Sequence, residues 1–154
     1  MDTSRIKGFI RLTIHDKDGK LRDDSGWMEN LTMNVALAVF SGLVGNTGSQ
    51  TAFTYLAVGT SSTAVAASQT TLGAEITDTG LARAAATVSR TTTNQTNDTL
   101  QLVKAWTATG SKTVEEIGYF NASSGGVMGG RALTTSKALT NGETLTATYK
   151  IIFT

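Results

Sequence analysis

His15 is the single histidine of the chain; it stands beside Asp16 and is followed by Asp18 and Gly19. An imidazole with two carboxylates is a donor set that suits a divalent cation. The same residues are also what a tight turn requires, because Asp bonds its own backbone and Gly takes positive φ without steric cost. Turn chemistry accounts for all of them, and no metal is expected. The lone His has no Ser in a Gly-x-Ser-x-Gly elbow to activate, so acyl-transfer chemistry of the serine-hydrolase type has no candidate nucleophile. Glu115 and Glu116 are adjacent carboxylates, but neighbours in an extended run point to opposite faces and do not form an acid and base couple. Gly125, Gly126, Gly129 and Gly130 have the density of a phosphate cradle. No Lys-Ser or Lys-Thr follows them and no helix begins there, so a turn with close backbone approach is the better reading. Trp27, Trp106 and Tyr119 are candidate platforms for stacking on sugars, with packing in a core or an interface as the preferred alternative. No catalytic residue and no cofactor are expected.

One pair remains. In an extended run, Glu116 shares a face with Val114, Gly118 and Phe120. A carboxylate on the more apolar side needs a cation or several hydrogen bonds, and Arg131 on the following run is placed to supply them. The pair is expected to be structural. With Gly118, Phe120, Gly126 and Tyr149 it makes up the set of residues expected to organise the C-terminal part of the fold.

The elements that must hold these residues are mostly strands. Thr144 to Phe153 alternates, with Leu145, Ala147, Tyr149, Ile151 and Phe153 on one face, the period of a half-buried strand. Thr113 to Asn121 and Val127 to Thr134 precede it, joined through Ser123 to Gly126, and the three runs predict an antiparallel meander. Near the N-terminus, Ile6 to Ile14 alternates and Asp18-Gly19 offers a hairpin turn, with Lys20 to Met28 as the return. From Thr32 or Asn34 to Leu43 the spacing becomes helical, with Thr32 or Asn34 as cap and Gly42 or Gly45 as stop. That helix is apolar nearly all round, so it is expected to be covered by sheet or by a neighbouring subunit. Ala52 to Val58, Leu81 to Arg90 and Thr99 to Thr107 read as further strands. Thr60 to Thr71 reads as a surface loop of Ser, Thr and Ala.

The prediction is one mainly β domain over residues 1–154: an N-terminal strand or hairpin in 1–30, a helix in 32–44 and the main sheet region in 52–154. About seven or eight strands at short spacing suggest an antiparallel β-sandwich or jelly roll with one helix packed on it.

Composition bounds the function. A chain of 154 residues can bury roughly 70% of the surface its unfolded form exposes. Thr occurs 28 times, consistent with exposed strand faces, and the absence of Cys rules out disulfides and thiolate sites. With 13 basic and 12 acidic side chains the net charge is +1, so no basic stripe for nucleic acid is present. No apolar run is long enough to span a membrane, and Met1 to Arg5 lacks the pattern of an export signal. The chain also has no Pro, one of the devices that blunt sheet edges, so assembly through edges is an expectation.

Glu116-Ile117-Gly118-Tyr119-Phe120-Asn121, then Gly125-Gly126-Val127-Met128 and Arg131, then the alternating strand after Asn141-Gly142-Glu143, resembles a recurring pattern in small virion proteins of tailed bacteriophages. Tyr55-Leu56-Ala57-Val58-Gly59-Thr60, with Thr71-Leu72 and Glu75, is similar to the opening of that pattern, as is Asn30-Leu31-Thr32-Met33-Asn34 leading into the helix. The resemblance covers about two thirds of the chain, mainly Asn30 to Gly59 and Thr113 to Phe153. It implies a non-enzymatic part of the particle, made in the bacterial cytoplasm, whose partners are copies of itself and other virion proteins. Capsid decoration is the preferred role, because no coiled coil or repeat suits the chain to be a whole fibre. A tail, neck or short-fibre adaptor is the alternative, and a carbohydrate-binding module is the alternative from another class. The family pattern carries no catalytic residues to transfer.

Overall fold

The computed structural model describes residues 5–154, so the reading of Met1 to Ser4 as free of an export signal falls outside it. Ten strands and, among the described residues, one helix follow in the order β1 (Ile6–His15), β2 (Leu21–Asp24), β3 (Met28–Thr32), α1 (Asn34–Gly45), β4 (Tyr55–Gly59), β5 (Ala84–Ala85), β6 (Thr87–Thr91), β7 (Thr99–Thr107), β8 (Lys112–Phe120), β9 (Met128–Leu139) and β10 (Thr144–Phe153). All pairings are antiparallel and run β5-β4-β8-β9-β3-β1-β10-β7-β6, with β2 added beside β1.

The mainly β class with one helix holds. The strand count is ten, and the strands form one hydrogen-bonded path nearly closed into a barrel instead of two separate sheets. Two corners produce the closure. At the first, β3 pairs with β1 through Met28 to Asn30 and with β9 through Leu31 and Thr32. At the second, only Ala86 separates β5, which pairs with β4, from β6, which pairs with β7, and the Ala86 N–H donates to Thr54 O at 2.8 Å. The two ends of the path are therefore one residue apart in the chain. Side chains bridge β2 to β9: Arg22 donates to Ala138 O at 2.6 Å and Lys137 meets Asp23 at 2.8 Å. Closure of this kind consumes most of the free edge, so the expectation of edge-to-edge assembly loses its basis.

The C-terminal runs are not a meander. β8 and β9 pair, but β10 crosses to lie between β1 and β7, in ten-residue register with β1 from Ile6↔Phe153 to His15↔Thr144. The Asn141-Gly142 turn is an arch between layers, because the Gly142 N–H donates to Ala108 O at 2.8 Å and the Thr140 N–H to the Glu143 carboxylate at 2.8 Å. Within the turn the Glu143 N–H donates to Thr140 O at 3.2 Å, but the strands on either side do not pair with each other. β9 also runs to Leu139, five residues beyond the expected end, because its far half pairs with Lys112 to Val114. The run read as Leu81 to Arg90 is divided between β5 and β6, and the predicted return strand Lys20 to Met28 is two strands, β2 on β1 and β3 at the corner.

Helix α1 has Met33 as its N-cap residue, with no side-chain cap, so neither Thr32 nor Asn34 has the expected role. The Asn34 N–H instead donates to Ala67 O at 2.9 Å, an orphan donor satisfied by a distant loop. The helix passes through Gly42 and ends at Asn46 in the left-handed region, while a Cβ on Gly42 would meet the Gln50 side chain at 2.3 Å. Gly42 is there for close packing, and Asn46 makes the stop.

The barrel interior holds Ile10, Leu12, Ile14, Leu102, Ile117 and Tyr149 among others. A second cluster, Met33, Ala57, Leu72, Phe120 and Met128, packs beneath the 60–74 segment. Inside the barrel, Tyr119 and Tyr149 meet edge to face at 4.8 Å. Their hydroxyls, with the Asn30 amide nearby, have no hydrogen-bond partner among the described residues. Burial pushes both phenols above their ordinary value of 10.0; at Tyr149 the neighbouring Tyr119 adds to this, and Asn30 acts weakly in the opposite sense. A folded pKa above the unfolded one gives stability that is present below about pH 10 and lost as pH rises further. Thermal melts should show this alkaline decline, and Tyr149→Phe should flatten it while changing neutral-pH stability by less than about 1 kcal/mol, since no bond is lost. A large neutral-pH loss would show that the hydroxyl is bonded after all.

Candidate functional site

Thr60 to Ala74 contains no regular strand or helix, yet it is held in one place by a buried ion pair. Arg131 of β9 stands opposite Gly118 of β8, one step diagonally from Glu116, so both side chains emerge on the outer face beneath that segment. The Arg131 Nε donates to Glu116 Oε2 at 2.6 Å, and both side chains are fully buried. The remaining valences of both groups go to the segment. Glu116 accepts the N–H groups of Gly73 at 3.0 Å, Ala74 at 2.8 Å and Ser61 at 3.4 Å. Arg131 donates to Thr63 O and to Gln69 Oε1, each at 3.0 Å. Gln69 accepts the Ala66 N–H with the same oxygen and donates to Ala64 O at 3.2 Å. A charge pair therefore acts as a clasp, supplying both signs of hydrogen bond that an irregular backbone needs.

The surroundings of the clasp depend on small residues. Gly118 leaves room for Leu72, whose Cδ2 would lie 3.1 Å from an added Cβ, and Gly59 is opposite Glu116 with its carboxylate 2.3 Å from an added Cβ. Phe120 lies on the same face under the Arg83 guanidinium, 3.6 Å from its ring centroid, and Arg83 pairs with Glu75 at 2.6 Å. Gly126 has φ 71° in the β8–β9 turn, where the Asn121 side chain accepts the Val127 N–H at 2.7 Å. Val114 departs from the expected face. A bulge between Val114 and Glu116 shifts the alternation, and Val114 points into the barrel. Tyr149 belongs to the interior and does not meet the clasp.

The clasp continues to the helix, since Ala67 of the held segment accepts the Asn34 N–H. On the outer side of α1, Leu37 is 53% exposed and Val44 is 90% exposed. Phe153, at the end of its strand, stacks edge-on against Phe40 at 6.0 Å and is half-exposed. The residues from Asn30 to Ala74, which supply α1 and the clasped segment, include no Asp, Glu, Lys, Arg or His. That gap between Glu29 and Glu75 is legible in the sequence and was the missed signal. Gln69 has no such signal, because its role depends on Arg131 arriving from another strand.

The other candidates do not converge. His15 ends β1, and the Asp16 carboxylate accepts the N–H groups of Lys20 and Asp18, each at 2.9 Å; the Lys20 bond above all holds its carboxyl below the usual range. Among the described residues no group of three metal-ligating side chains occurs. Trp106 is buried and donates to Ala82 O at 2.8 Å, and Tyr119 is interior. Trp27 is half-exposed with Lys150 4.8 Å above its ring. The three aromatics form no common platform. Among the described residues no helix is long and apolar enough to cross a membrane.

Comparison of the chain with protein-family models, curated proteins and solved structures finds no match.

Proposed function

We propose that this chain is a non-enzymatic structural component of a tailed-bacteriophage virion, most simply a decoration protein bound to the outside of the capsid. The observation that carries an assembly role is the surface built by α1 and the clasped segment. It has no ionisable acid or base, exposes several large aliphatic side chains and is tied to the barrel through the Glu116–Arg131 pair. Depletion of charge together with apolar exposure is the composition of an interface core and is unusual for a solvated face. The order of motifs resembling small virion proteins directs that assembly role to the particle. Binding would rest on apolar burial, because the closed barrel has little edge to pair and the net charge is close to zero.

The test is addition of purified protein to particles lacking it, followed by imaging. Density repeated over the capsid lattice is the expected result, density confined to the neck or tail selects an adaptor role, and no association with any component overturns both.

A further inference from the structure

We propose that β2 is a charge-held cover over the free edge of β9, one that opens by itself in acid while the rest of the barrel stays closed. It concerns this seam alone and does not depend on the assembly reading above.

β9 needs a cover because beyond Arg131 it has a strand on one side only. Its pairing with β3 ends at Leu31↔Arg131, whereas its pairing with β8 continues to Lys112↔Leu139. An unpaired strand edge is a template for another chain, and charged side chains are one of the devices that block it. β2 lies across from that edge, paired with β1 through Leu21, Asp23 and Asp24 and with no backbone bond to β9 among the described residues. Arg22 donates to Ala138 O at 2.6 Å, so a guanidinium occupies an acceptor that an incoming strand would use.

Ion pairs hold the cover in place. Arg11 meets Asp24, Arg22 meets Glu143 at 2.6 Å and Lys137 meets Asp23 at 2.8 Å, so this short strand is tied to β1, to the β9–β10 turn and to β9. The Lys137 side chain is 3% exposed and Asp23 is its one partner among the described residues. Loss of the Asp23 charge would leave a buried ammonium unpaired. The other charged groups near β2 are His15, opposite Leu21, and Asp16, Lys17 and Lys20 of the β1–β2 turn.

Acid removes the carboxylate charges. Arg11 above all, with the Gly26 N–H, holds the Asp24 carboxyl below its usual range. At Glu143 burial acts in the raising sense and is outweighed by the Thr140 N–H and Arg22. Carboxyls lowered by folding stabilise the closed arrangement above their unfolded values and lose that contribution as pH falls through the folded ones, so the cover should loosen below about pH 4. The ten residue pairs of β1 and β10 include no ion pair among the described residues and should stay closed.

Hydrogen exchange of the full chain tests the opening. The Ser25 N–H, which donates to Leu12 O at 2.9 Å, should lose protection about tenfold between about pH 5 and about pH 3, while the amides shared by β1 and β10 keep theirs. His15→Gln should leave that response unchanged, since the charge lost in acid belongs to carboxylates. At neutral pH, Asp23→Ala should open the cover in the same way, and Asp23→Ala combined with Lys137→Met should restore most of the protection, because no buried charge is then left unpaired. Sedimentation reads the edge beneath: Asp23→Ala should self-associate at least tenfold more strongly than the parent chain. Loss of protection in β1 and β10 along with Ser25 would make the acid effect global unfolding and overturn the proposal. An Asp23→Ala chain as protected as the parent, a double variant no better than the single one, or association unchanged by Asp23→Ala would each overturn it too.

Discussion

Replacing Arg131 by Met should lower stability by about 3–5 kcal/mol, and Glu116→Ala by a similar amount, because either change leaves the other charge buried without its partner. The carboxylate left by Arg131→Met would keep the N–H donors of Gly73 and Ala74 but lose its only cation. The guanidinium left by Glu116→Ala would keep Thr63 O and Gln69 and lose its only anion. The double replacement should cost less than the sum, since no unpaired charge remains. Urea unfolding measures the energies. Hydrogen exchange at Gly73 and Ala74 reads the clasp itself, and their protection should fall in Glu116→Ala more than that of β1 or β10. Single replacements costing below about 1 kcal/mol, the range of exposed pairs, would remove the clasp from this account.

The second large effect is expected at Gly129. A Cβ there would lie 1.9 Å from Tyr119 Cε2 and 2.5 Å from its Cδ2 and Cζ, and the ring cannot yield, because Phe53 and Tyr149 stack edge-on at 5.1 Å and 4.8 Å. Gly129→Ala should therefore cost about 3 kcal/mol, the upper part of the range for overpacking. Backbone freedom is not the cause, since Gly129 is absent from the positive-φ residues. In a Tyr119→Leu background the added methyl group should cost much less, and melting of the four variants of this cycle checks it. An equal cost in both backgrounds would place the strain elsewhere.

Both effects arise from pairs that the sequence presented unequally. Glu116 and Arg131 were legible as partners, because a carboxylate on the apolar side of a strand has few ways to be satisfied. Gly129 was legible as a site of close approach but not as the seat of Tyr119, because the ring reaches it across the β8–β9 pair. The bulge that turned Val114 inward has no signature of its own in a run of alternating residues.

What the sequence by itself determined was local: the strand character of Ile6 to Ile14 and Thr144 to Phe153, the helix that follows Thr32, the turn glycines at Gly19 and Gly126, and an irregular segment rich in Ser, Thr and Ala. Period and turn chemistry are properties of neighbouring residues, so they can be read without the fold. Only the tertiary structure decided that β10 lies between β1 and β7 and not beside β9, that β3 and the Ala84–Thr91 run turn two corners of a nearly closed barrel, and that the clasp holds Gln69 and the start of α1 together. Antiparallel pairing is permissive. Any two alternating strands of suitable length can match their faces, and the choice among them falls to the packing of side chains far apart in sequence, such as Tyr119 on Tyr149 and Phe153 on Phe40.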